Sequence, residues 1–303
     1  MKILNKLDIS IGIPVFNEEK NIEKLLESIK KQKLNFRKII IVNDNSTDNT
    51  FNLIKKFKDE NSKMNIKLIN LKKNYGKAYA LNIIFRVSNS EYLILLDSDI
   101  CLRKDTIKNL IQCCSKKDIG LCSGWTEFKI SKPNVIDRFY LFSSLLLKNI
   151  VKHKKIYGAL GKIMCIKKDL YKKIYLPEKI VRIDAYIYLY SLSLGFDFNF
   201  CPNALADEFF YERGNIKTLL MRQTRSRSKP KIHFKKFGKI ALEEFKEVNI
   251  FVFIKEYFFC FIKNPLNGFI WTILKLYFFV YSKIFKFKIT HTWRKVEVRN
   301  RYV

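Results

Sequence analysis

Two carboxylates stand two positions apart at the end of a short apolar run, Leu95-Leu96-Asp97-Ser98-Asp99. A buried strand that ends in this way can present oxygen ligands to a hard divalent cation such as Mg²⁺ or Mn²⁺. The cation can then neutralise a diphosphate. The alternative is an ordinary strand-to-loop transition with solvated aspartates, because an Asp-x-Asp pair also occurs by chance.

Two further polar segments follow apolar runs in the same manner. In Val42-Asn43-Asp44-Asn45-Ser46-Thr47-Asp48, the Asp44 carboxylate can accept a hydrogen bond from a nucleobase or a sugar. The same residue types also favour turns and helix N-termini, which is the alternative role of Asp48. In residues 74–82, Gly76 permits close backbone approach, and Lys77 can meet a phosphate near a helix N-terminus. A capped surface helix would need the same residues.

Alternating strand and helix patterns position these segments. Apolar runs predict strands at 8–15, 38–42, 66–70 and 92–96, and helical spacing predicts helices at 18–32, 50–57 and 76–87. This alternation favours an α/β fold with a doubly wound, mostly parallel sheet. Ligands bind such sheets beyond the carboxyl ends of the strands, where Asn17, Asp44, Asn74 and Asp97 fall.

Together, these segments resemble the family-2 glycosyltransferases, which have the GT-A fold. The resemblance covers about residues 8–230. It is carried by Ile13-Pro14-Val15-Phe16-Asn17-Glu18-Glu19, Asp44-Asn45-Ser46-Thr47-Asp48-Asn49-Thr50, residues 74–82 and Asp97-Ser98-Asp99, in the family's order. It implies a nucleotide-diphosphate-sugar donor, with Asp44 at the nucleobase, Asp97 at the ribose and Asp99 on the metal. The other donor-binding residues that it implies are Pro14, Asn17, Glu18, Asn74, Gly76 and Lys77. Asn43 and Asn45 depart from the usual Asp and Gly.

The resemblance continues over Arg182-Ile183-Asp184, residues 194–196 and Cys201-Pro202-Asn203-Ala204. It places Asp184 on the aspartate that serves as catalytic base. An inverting transfer needs a carboxylate that takes the proton of the acceptor hydroxyl. Ile183 replaces the usual Glu, and a helix cap is the alternative role of Asp184.

A later basic segment, Arg222-Gln223-Thr224-Arg225-Ser226, resembles the family's Gln/Arg-x-x-Arg-Trp element. Arg222 and Arg225 can approach the donor diphosphate or an acceptor phosphate. A solvated basic helix is the alternative. Because Ser226 stands where Trp is expected, the resemblance argues against a processive polysaccharide synthase.

The chain changes character after residue 247. Residues 248–262 and 266–282 are dense in aromatic and aliphatic side chains and are separated by Asn264-Pro265. A spanning helix needs about 20 apolar residues, so a pair of helices lying in the membrane interface, or a shallow hairpin that turns at Asn264-Pro265, is favoured over a simple span. Additional core packing is the alternative. The sequence thus predicts a catalytic domain over 1–230 and a helical, membrane-associating region over 231–303.

Charge and cysteine content place bounds on the partners. The net charge is +30, and 21 Lys/Arg against 6 Asp/Glu follow residue 208. Such an excess favours a polyanionic neighbour, although a compositional bias towards Lys, Ile and Asn explains part of it. Seven cysteines without a C-x-x-C pair or a Cys/His cluster argue against zinc and favour reduced thiols. Residues 1–8 lack the apolar core of a signal peptide.

Together with these patterns, the resemblance implies a metal-dependent, inverting glycosyltransferase that uses Mn²⁺ or Mg²⁺ at the cytosolic face of the cell membrane. The predicted acceptor is a hydroxyl of a glycan or lipid-linked molecule in cell-envelope glycan or glycolipid synthesis. Transfer to a polyprenyl phosphate stays open, because an anionic acceptor needs no base. A nucleotidyltransferase would have a Gly-rich, Arg-containing loop, which residues 14–21 lack. A nucleic-acid-binding protein is disfavoured, since the basic residues form no recognition module.

Overall fold

The computed structural model describes residues 7–151, 161–178, 180, 182–208, 216, 219–220, 231–244, 249–289 and 296–300. The chain divides into two compact units. The first unit comprises Met1–Glu127, Gly158–Phe209 and His291–Trp293, and the second comprises Phe128–Tyr157, Phe210–Thr290 and Arg294–Val303. The second unit thus joins an internal segment to the C-terminal third, whereas a single boundary near residue 230 was predicted from the sequence.

Strands and helices alternate along the first half of the chain. They are β1 (Ile9–Val15), α1 (Ile22–Lys30), β2 (Lys38–Asn43), α2 (Thr50–Glu60), β3 (Ile66–Asn70), α3 (Lys77–Val87), β4 (Tyr92–Leu96), β5 (Ile100–Leu102), α4 (Thr106–Cys114) and β6 (Ile119–Phe128). The elements that follow are α5 (Val135–Val151), β7 (Ile163–Lys167), α6 (Lys168–Tyr171), α7 (Ile183–Ser193), β8 (Asp197–Glu208), α8 (Lys231–Glu244), α9 (Ile250–Lys263), α10 (Pro265–Ile284), β9 (Phe285–Ile289) and β10 (Val296–Asn300). The predicted strands at 38–42, 66–70 and 92–96 match β2, β3 and β4 to within one residue.

In the described part of the chain, β1 to β8 form one sheet in the order β3-β2-β1-β4-β7-β6-β8-β5. β1 pairs in parallel with β2 and β4, and β2 pairs in parallel with β3. The pairs β4–β7, β6–β7 and β5–β8 are antiparallel. The α/β class is confirmed, but the sheet is mixed, and the prediction of a mostly parallel sheet is wrong for its second half. Apolar runs identify buried strands, but the direction of a strand depends on partners that are distant in the sequence.

The core of the first unit is built around the parallel strands. Every residue of β1 and β4 is buried, as expected for strands that are covered on both faces. α1 buries Ile22, Leu25, Leu26 and Ile29 at helical spacing against this core. At Gly12, an added Cβ would lie 2.4 Å from Ile84 Cγ2, so glycine allows α3 to approach β1 closely. The packed strands therefore form a rigid base for the loops at their ends.

The second unit is a helical cluster in which α5 packs against α9 and α10. Phe139 and Phe142 of α5 are fully buried, and Trp271 of α10 contacts both rings. The Trp271 indole N–H donates to Ser143 Oγ at 2.8 Å. The helices predicted on either side of Asn264-Pro265 are present as α9 and α10. An antiparallel pair of strands, β9 and β10, follows them and was not predicted.

One face of α9 and α10 is apolar and exposed to solvent. We call it the α9–α10 surface. Its members are Ile250, Phe251, Ile254, Phe258, Phe259, Ile262, Leu266, Phe269, Ile273, Leu276, Tyr277, Phe279 and Val280. Most recur at intervals of three or four residues, so each helix carries an apolar stripe beside the face that packs in the cluster. Among the described helices, none combines the length and apolar character needed to cross a bilayer.

Candidate active site

The parallel strands bring the predicted donor residues to one edge of the sheet. β1, β2 and β4 end at Val15, Asn43 and Leu96, and parallel strands present their carboxyl ends at the same edge. Asp44 and Asp97 follow directly, and Pro14 lies within β1, opposite Val42 of β2. The sheet therefore places the nucleotide-binding and metal-binding candidates together, at the edge where open α/β sheets bind ligands.

Asp44 is fully buried and holds the loop that precedes α3. Its Oδ1 accepts the backbone N–H of Tyr75 at 2.8 Å, and its Oδ2 accepts that of Gly76 at 2.7 Å. Gly76 has φ 92°, a backbone conformation that favours glycine. An ionised carboxylate has about four acceptor sites, and Asp44 uses two of them to hold these N–H groups.

Asn74 and Tyr75 belong to the same loop. Asn74 Oδ1 is buried and meets no hydrogen-bond donor within the residues that the structure describes. The Tyr75 ring is partly exposed and stacks on Tyr79, with ring centroids 4.4 Å apart. A buried acceptor of this kind needs a partner to offset its desolvation, so the loop has an acceptor available for a ligand.

Asn17 and Glu18 connect the loop after β1 to the loop after β2. Asn17 has φ 53°, and its Oδ1 accepts the Thr47 N–H at 2.8 Å. The Glu18 N–H donates to Thr50 Oγ1 at 2.8 Å, and Glu18 Oε2 accepts the Asn21 amide at 2.8 Å. These groups fix the two loops relative to each other. Asp48 Oδ1 accepts the Thr50 N–H at 3.0 Å, the helix-terminus role that the sequence left open.

Asp97 and Lys77 form an ion pair across the site. The Lys77 ammonium, from the first residue of α3, contacts Asp97 Oδ1. The backbone N–H of Asp97 donates to the carbonyl of Lys162 at 2.9 Å. Lys77 was predicted to meet a phosphate, and in the structure its charge lies at the carboxyl end of β4.

Asp99 is bridged to Glu208 by a lysine that the sequence analysis did not identify. Lys162 Nζ lies 2.6 Å from Asp99 Oδ2 and 2.7 Å from Glu208 Oε1. Thr126 Oγ1 donates to Glu208 Oε2 at 3.2 Å. The sequence offers only weak signals for this bridge: Lys162 directly precedes the apolar run of β7, and Glu208 ends β8. Because Lys162 and Glu208 are far from Asp99 in the sequence, the contacts of this bridge could not be predicted.

The two charges of this bridge affect each other's ionisation. Burial raises the pKa of Glu208 above its ordinary value, Asp99 adds to the rise, and Lys162 opposes it. For Lys162, burial works to lower the pKa, but Asp99, Glu208 and Asp97 together raise it above the ordinary value. Lys162 is therefore a fixed positive charge among these carboxylates at neutral pH.

The carboxylates fit a divalent cation in their chemistry. Two hard oxygen donors, Asp99 Oδ2 and Glu208 Oε1, already converge on one cationic atom, Lys162 Nζ. Protein sites for Mg²⁺ commonly use one or two carboxylates together with waters and substrate phosphates. Within the described ranges, no group of three or more His, Cys, Asp or Glu side chains is arranged to hold a metal.

Asp184 lies at the start of α7, which follows Arg182 in a left-handed conformation with φ 62°. Burial raises the pKa of the half-buried Asp184 carboxyl, and Asp97 adds to the rise, while the Ala185 N–H, Arg182 and Lys77 oppose it. Gly161 lies against Asp184, and the carbonyl of the next residue, Lys162, accepts the Asp97 N–H at 2.9 Å, so the start of α7 lies near the end of β4. Arg222 and Arg225 lie outside the described residues.

Arg103 joins the end of β8 to β6 at the flank of the site. Its guanidinium lies 2.8 Å from Glu127 Oε2 and 2.6 Å from Asp207 Oδ1. Asp207 precedes Glu208, so this pairing holds the chain beside the Glu208 carboxylate. A planar guanidinium that contacts two carboxylates restricts their geometry more than a single lysine contact would.

Comparison with curated proteins finds partial matches. A segment of 114 residues is 30% identical to the processive diacylglycerol beta-glycosyltransferase of Mycoplasma genitalium, covering 37% of this chain and 33% of that protein. The chain matches a third or less of the length of such curated relatives.

Solved structures share the fold over most of the chain. The mannosyltransferase PcManGT from Pyrobaculum calidifontis, in complex with GDP-Man and Mn²⁺, has a TM-score of 0.61 at 16% identity, covering 91% of this chain and 75% of that chain. Staphylococcus aureus TarS 1-349, in complex with UDP-GlcNAc, has a TM-score of 0.55 at 16% identity and 97% coverage of both chains. At these identities, the likeness confirms the GT-A-like α/β fold alone.

The family assignment rests on a match in sequence. The model of the family described as "Glycosyl transferase family 2" matches residues 10–175, which hold the strand ends, Asp44, Asp97, Asp99 and Lys162. The match spans more than half of the chain, and it coincides with the edge of the sheet where the polar side chains converge. The protein belongs to glycosyl transferase family 2.

Proposed function

We propose that this chain transfers a sugar from a nucleotide-diphosphate sugar to an acceptor hydroxyl, with inversion at the anomeric carbon. The observation that carries the proposal is that Asp97, Asp99 and Asp184 all lie beside residues 161–162. The Lys162 carbonyl accepts the Asp97 N–H at 2.9 Å, Lys162 Nζ lies 2.6 Å from Asp99 Oδ2, and Gly161 lies against Asp184. Two functions are thereby available at one edge of the sheet: neutralising a diphosphate and taking a proton. The complexes of similar folds with GDP-Man and UDP-GlcNAc support this donor class.

The donor nucleotide would occupy the ends of β1, β2 and β4. Asp44 holds the Tyr75 and Gly76 N–H groups in the same loop as the buried Asn74 Oδ1, which can accept an N–H group of a nucleobase. Asp44 stays the proposed carboxylate contact of the nucleobase. Asp97 would bind the ribose hydroxyls, as carboxylates commonly do in α/β nucleotide sites. Pro14, Asn17 and Glu18 shape the adjoining loops. Arg222 and Arg225 stay proposed contacts of the diphosphate.

The metal would be held by Asp99, with Glu208 as the second carboxylate nearby. When bound, Mn²⁺ or Mg²⁺ supplies Lewis-acid stabilisation of the departing nucleoside diphosphate. Lys77 adds a positive charge at the carboxyl end of β4 through its contact with Asp97. The Mn²⁺ in the PcManGT complex supports this dependence.

Asp184 would act as the general base. Its raised pKa makes the carboxylate a better proton acceptor than an exposed aspartate. In the transfer, the acceptor oxygen bonds to the anomeric carbon while its proton passes to Asp184. The bond between that carbon and the diphosphate oxygen breaks, and both electrons leave with the diphosphate. Attack opposite the leaving group inverts the configuration.

A donor screen tests this function. Thermal shift measurements with UDP-, GDP- and dTDP-sugars, each with and without Mn²⁺, should show stabilisation by the sugars of one nucleotide, since ligands that bind the native state raise its stability. The anomeric configuration of the product, read by NMR, tests inversion. Absence of stabilisation by every nucleotide sugar would contradict the proposal.

The α9–α10 surface would hold the enzyme on the cytosolic face of a membrane. Its thirteen apolar side chains are each at least 44% exposed, and soluble proteins rarely expose large apolar patches. Lys255 and Lys263 are exposed on α9 beside it and can meet anionic headgroups. Core packing explains the face that meets α5, but it leaves these apolar side chains in water. Interfacial binding would bury them.

A lipid-linked acceptor follows from the same surface. A membrane-bound enzyme meets its acceptor at the interface, and the diacylglycerol glycosyltransferase relative supports a role in glycolipid or cell-envelope glycan synthesis. A polyprenyl phosphate is the second candidate, which the α9–α10 surface favours equally. A phosphate oxygen is already anionic and needs no base. Transfer to lipid phosphate that persists in Asp184→Asn would favour this second acceptor.

A further inference from the structure

The Lys162 ammonium occupies the position where two carboxylates of the site converge. It lies 2.6 Å from Asp99 Oδ2 and 2.7 Å from Glu208 Oε1, distances typical of strong charge-assisted hydrogen bonds. Lys162 is thus the counter-ion of the carboxylate that is proposed to bind metal.

The backbone fixes where this lysine stands. Lys162 directly precedes β7, whose residue Ile163 pairs with Leu96 of β4. The Lys162 carbonyl accepts the Asp97 N–H at 2.9 Å. The start of its side chain is therefore held beside the Asp97-Ser98-Asp99 segment, so the ammonium can reach Asp99 or move away only by rotating the side chain.

We infer that Lys162 competes with the divalent cation for Asp99 and Glu208, and so sets the metal affinity of the site. The inference rests on the proposed metal role of Asp99. A dication and an ammonium at the same oxygens repel each other strongly, because like charges at short range in a partly desolvated site are poorly screened. Metal binding must therefore displace the ammonium, and the ion pairs that are lost weaken the net affinity for the metal.

Mn²⁺ binding to the nucleotide-free enzyme tests this competition without relying on turnover. The free Mn²⁺ signal in electron paramagnetic resonance gives the Kd of the full chain and of its variants. Lys162→Met removes the ammonium and should lower the Kd for Mn²⁺ by about tenfold or more. Lys162→Gln, which can still donate a hydrogen bond to a carboxylate, should lower it in the same direction, and it serves if the Met variant does not fold. Lys162→Arg keeps the charge and should stay near the wild-type Kd.

Lys167→Met is the matched control. Lys167 ends the same strand, and its ammonium donates to the carbonyls of Lys116 and Lys117 at 2.8 and 3.3 Å, away from Asp99. This variant should bind Mn²⁺ like the wild type. Adding Asp99→Asn to Lys162→Met should abolish the gain in Mn²⁺ affinity, because that gain depends on the freed Asp99 carboxylate. The effects of the two substitutions should therefore not be additive.

The outcomes separate this inference from the function on which it rests. Unchanged or weaker Mn²⁺ binding in both neutral Lys162 variants, beside saturable binding in the wild type, would overturn the competition alone. Absence of saturable Mn²⁺ binding in the wild type and in every variant would overturn the metal proposal as well. Nucleotide-sugar stabilisation in EDTA would then still support a donor site.

Discussion

Gly161 lies directly against Asp184. An added Cβ at Gly161 would stand 2.9 Å from Asp184 Cβ, closer than real Cβ atoms approach, and 3.5 Å from Cγ. The missing side chain is thus what allows α7 to bring the carboxylate beside the chain that enters β7. The placement of the proposed base depends on a glycine that carries no chemistry of its own.

Gly161→Ala should therefore impair turnover more than donor binding. We expect kcat to fall about tenfold or more, because small displacements of a catalytic group are costly, while the Kd for the donor stays near the wild-type value. Gly120→Ala is the matched control: its Cβ would lie 2.7 Å from the Phe196 side chain, away from Asp184. It should lower stability but leave the kcat of the folded enzyme unchanged. Equal kcat losses in both variants would contradict the specific role of Gly161.

Asp184→Asn should lower kcat about 100-fold or more, with little change in donor affinity, in line with the usual contribution of acid–base catalysis. Single-turnover kinetics and donor titration on the same preparation measure the two effects. A large loss of donor binding at unchanged kcat would instead place Asp184 in the donor site.

The pH dependence of Asp184 has a defined sign. Burial raises its pKa in the folded protein above the ordinary value, so the acid limb of kcat should rise through this raised pKa, and Asp184→Asn should lack it. The protonated form is the one that folding favours. The stabilisation that the protonated Asp184 carboxyl contributes is fully present below its pKa in the unfolded chain. It is lost as the pH rises through its pKa in the folded protein. Asp184→Asn should therefore have a Tm at pH 7 equal to or above that of the wild type.

Asp99→Asn should abolish turnover and weaken the Mn²⁺-dependent binding of UDP or GDP, because it removes a charged oxygen ligand. Circular dichroism should show an intact fold. Asp169→Asn, an exposed aspartate of α6, provides the control and should behave as the wild type. Full activity of Asp99→Asn, or full wild-type activity in EDTA, would remove the metal from the proposed function.

Asp44→Asn should lower both stability and nucleotide affinity. In this variant, an NH₂ group replaces one of the two carboxylate oxygens and faces the N–H of Tyr75 or Gly76. That buried N–H then has no acceptor. The expected loss in the free energy of unfolding is about 1–3 kcal/mol. Asp137→Asn, also buried and bonded to a backbone N–H at 2.9 Å, should lose stability but keep the affinity for UDP or GDP. Unchanged nucleotide affinity in Asp44→Asn would contradict its place in the donor site.

Membrane binding should depend on the α9–α10 surface. Full-length protein should float with vesicles that contain anionic lipid. Charged substitutions at Phe251, Ile262 and Phe269, each more than half exposed, should release it, because charge at the interface opposes insertion. Leu242→Glu, at an equally exposed leucine of α8, should leave flotation unchanged. Wild-type protein that stays in the supernatant at low salt without detergent would contradict the membrane proposal.

The sequence predicted the parallel half of the sheet well, because continuous apolar runs such as β2 and β4 reflect burial on both faces. It also predicted α9 and α10 from their density of apolar side chains on either side of Asn264-Pro265. It missed β5, α4 and the antiparallel pairings. Their strands meet across long stretches of chain, as when Ile100 of β5 lies opposite Glu208 of β8, and local periodicity does not encode such register.

Some residues of the candidate site could be predicted from the sequence, and others could not. Asp97 and Asp99 were identifiable because carboxylates at the mouth of an apolar run are unusual for a buried strand. Lys162 was not, since it stands 63 positions from Asp99 and resembles any lysine of a Lys-rich chain. Asn17 and Glu18 were assigned to the donor, and the structure adds a different use, tying two loops together. The donor roles of these residues stay predictions.

The two-segment origin of the helical unit has a consequence for synthesis on the ribosome. α5 emerges roughly 100 residues before α9 and α10, the helices that bury Phe139 and Phe142. At typical elongation rates this delay is roughly 5–20 s. During that interval the nascent chain carries an aromatic face without its partners, which is the kind of surface that chaperones bind and that aggregates. Premature termination before α9 would leave that face exposed permanently, so incomplete chains should be recognised and degraded.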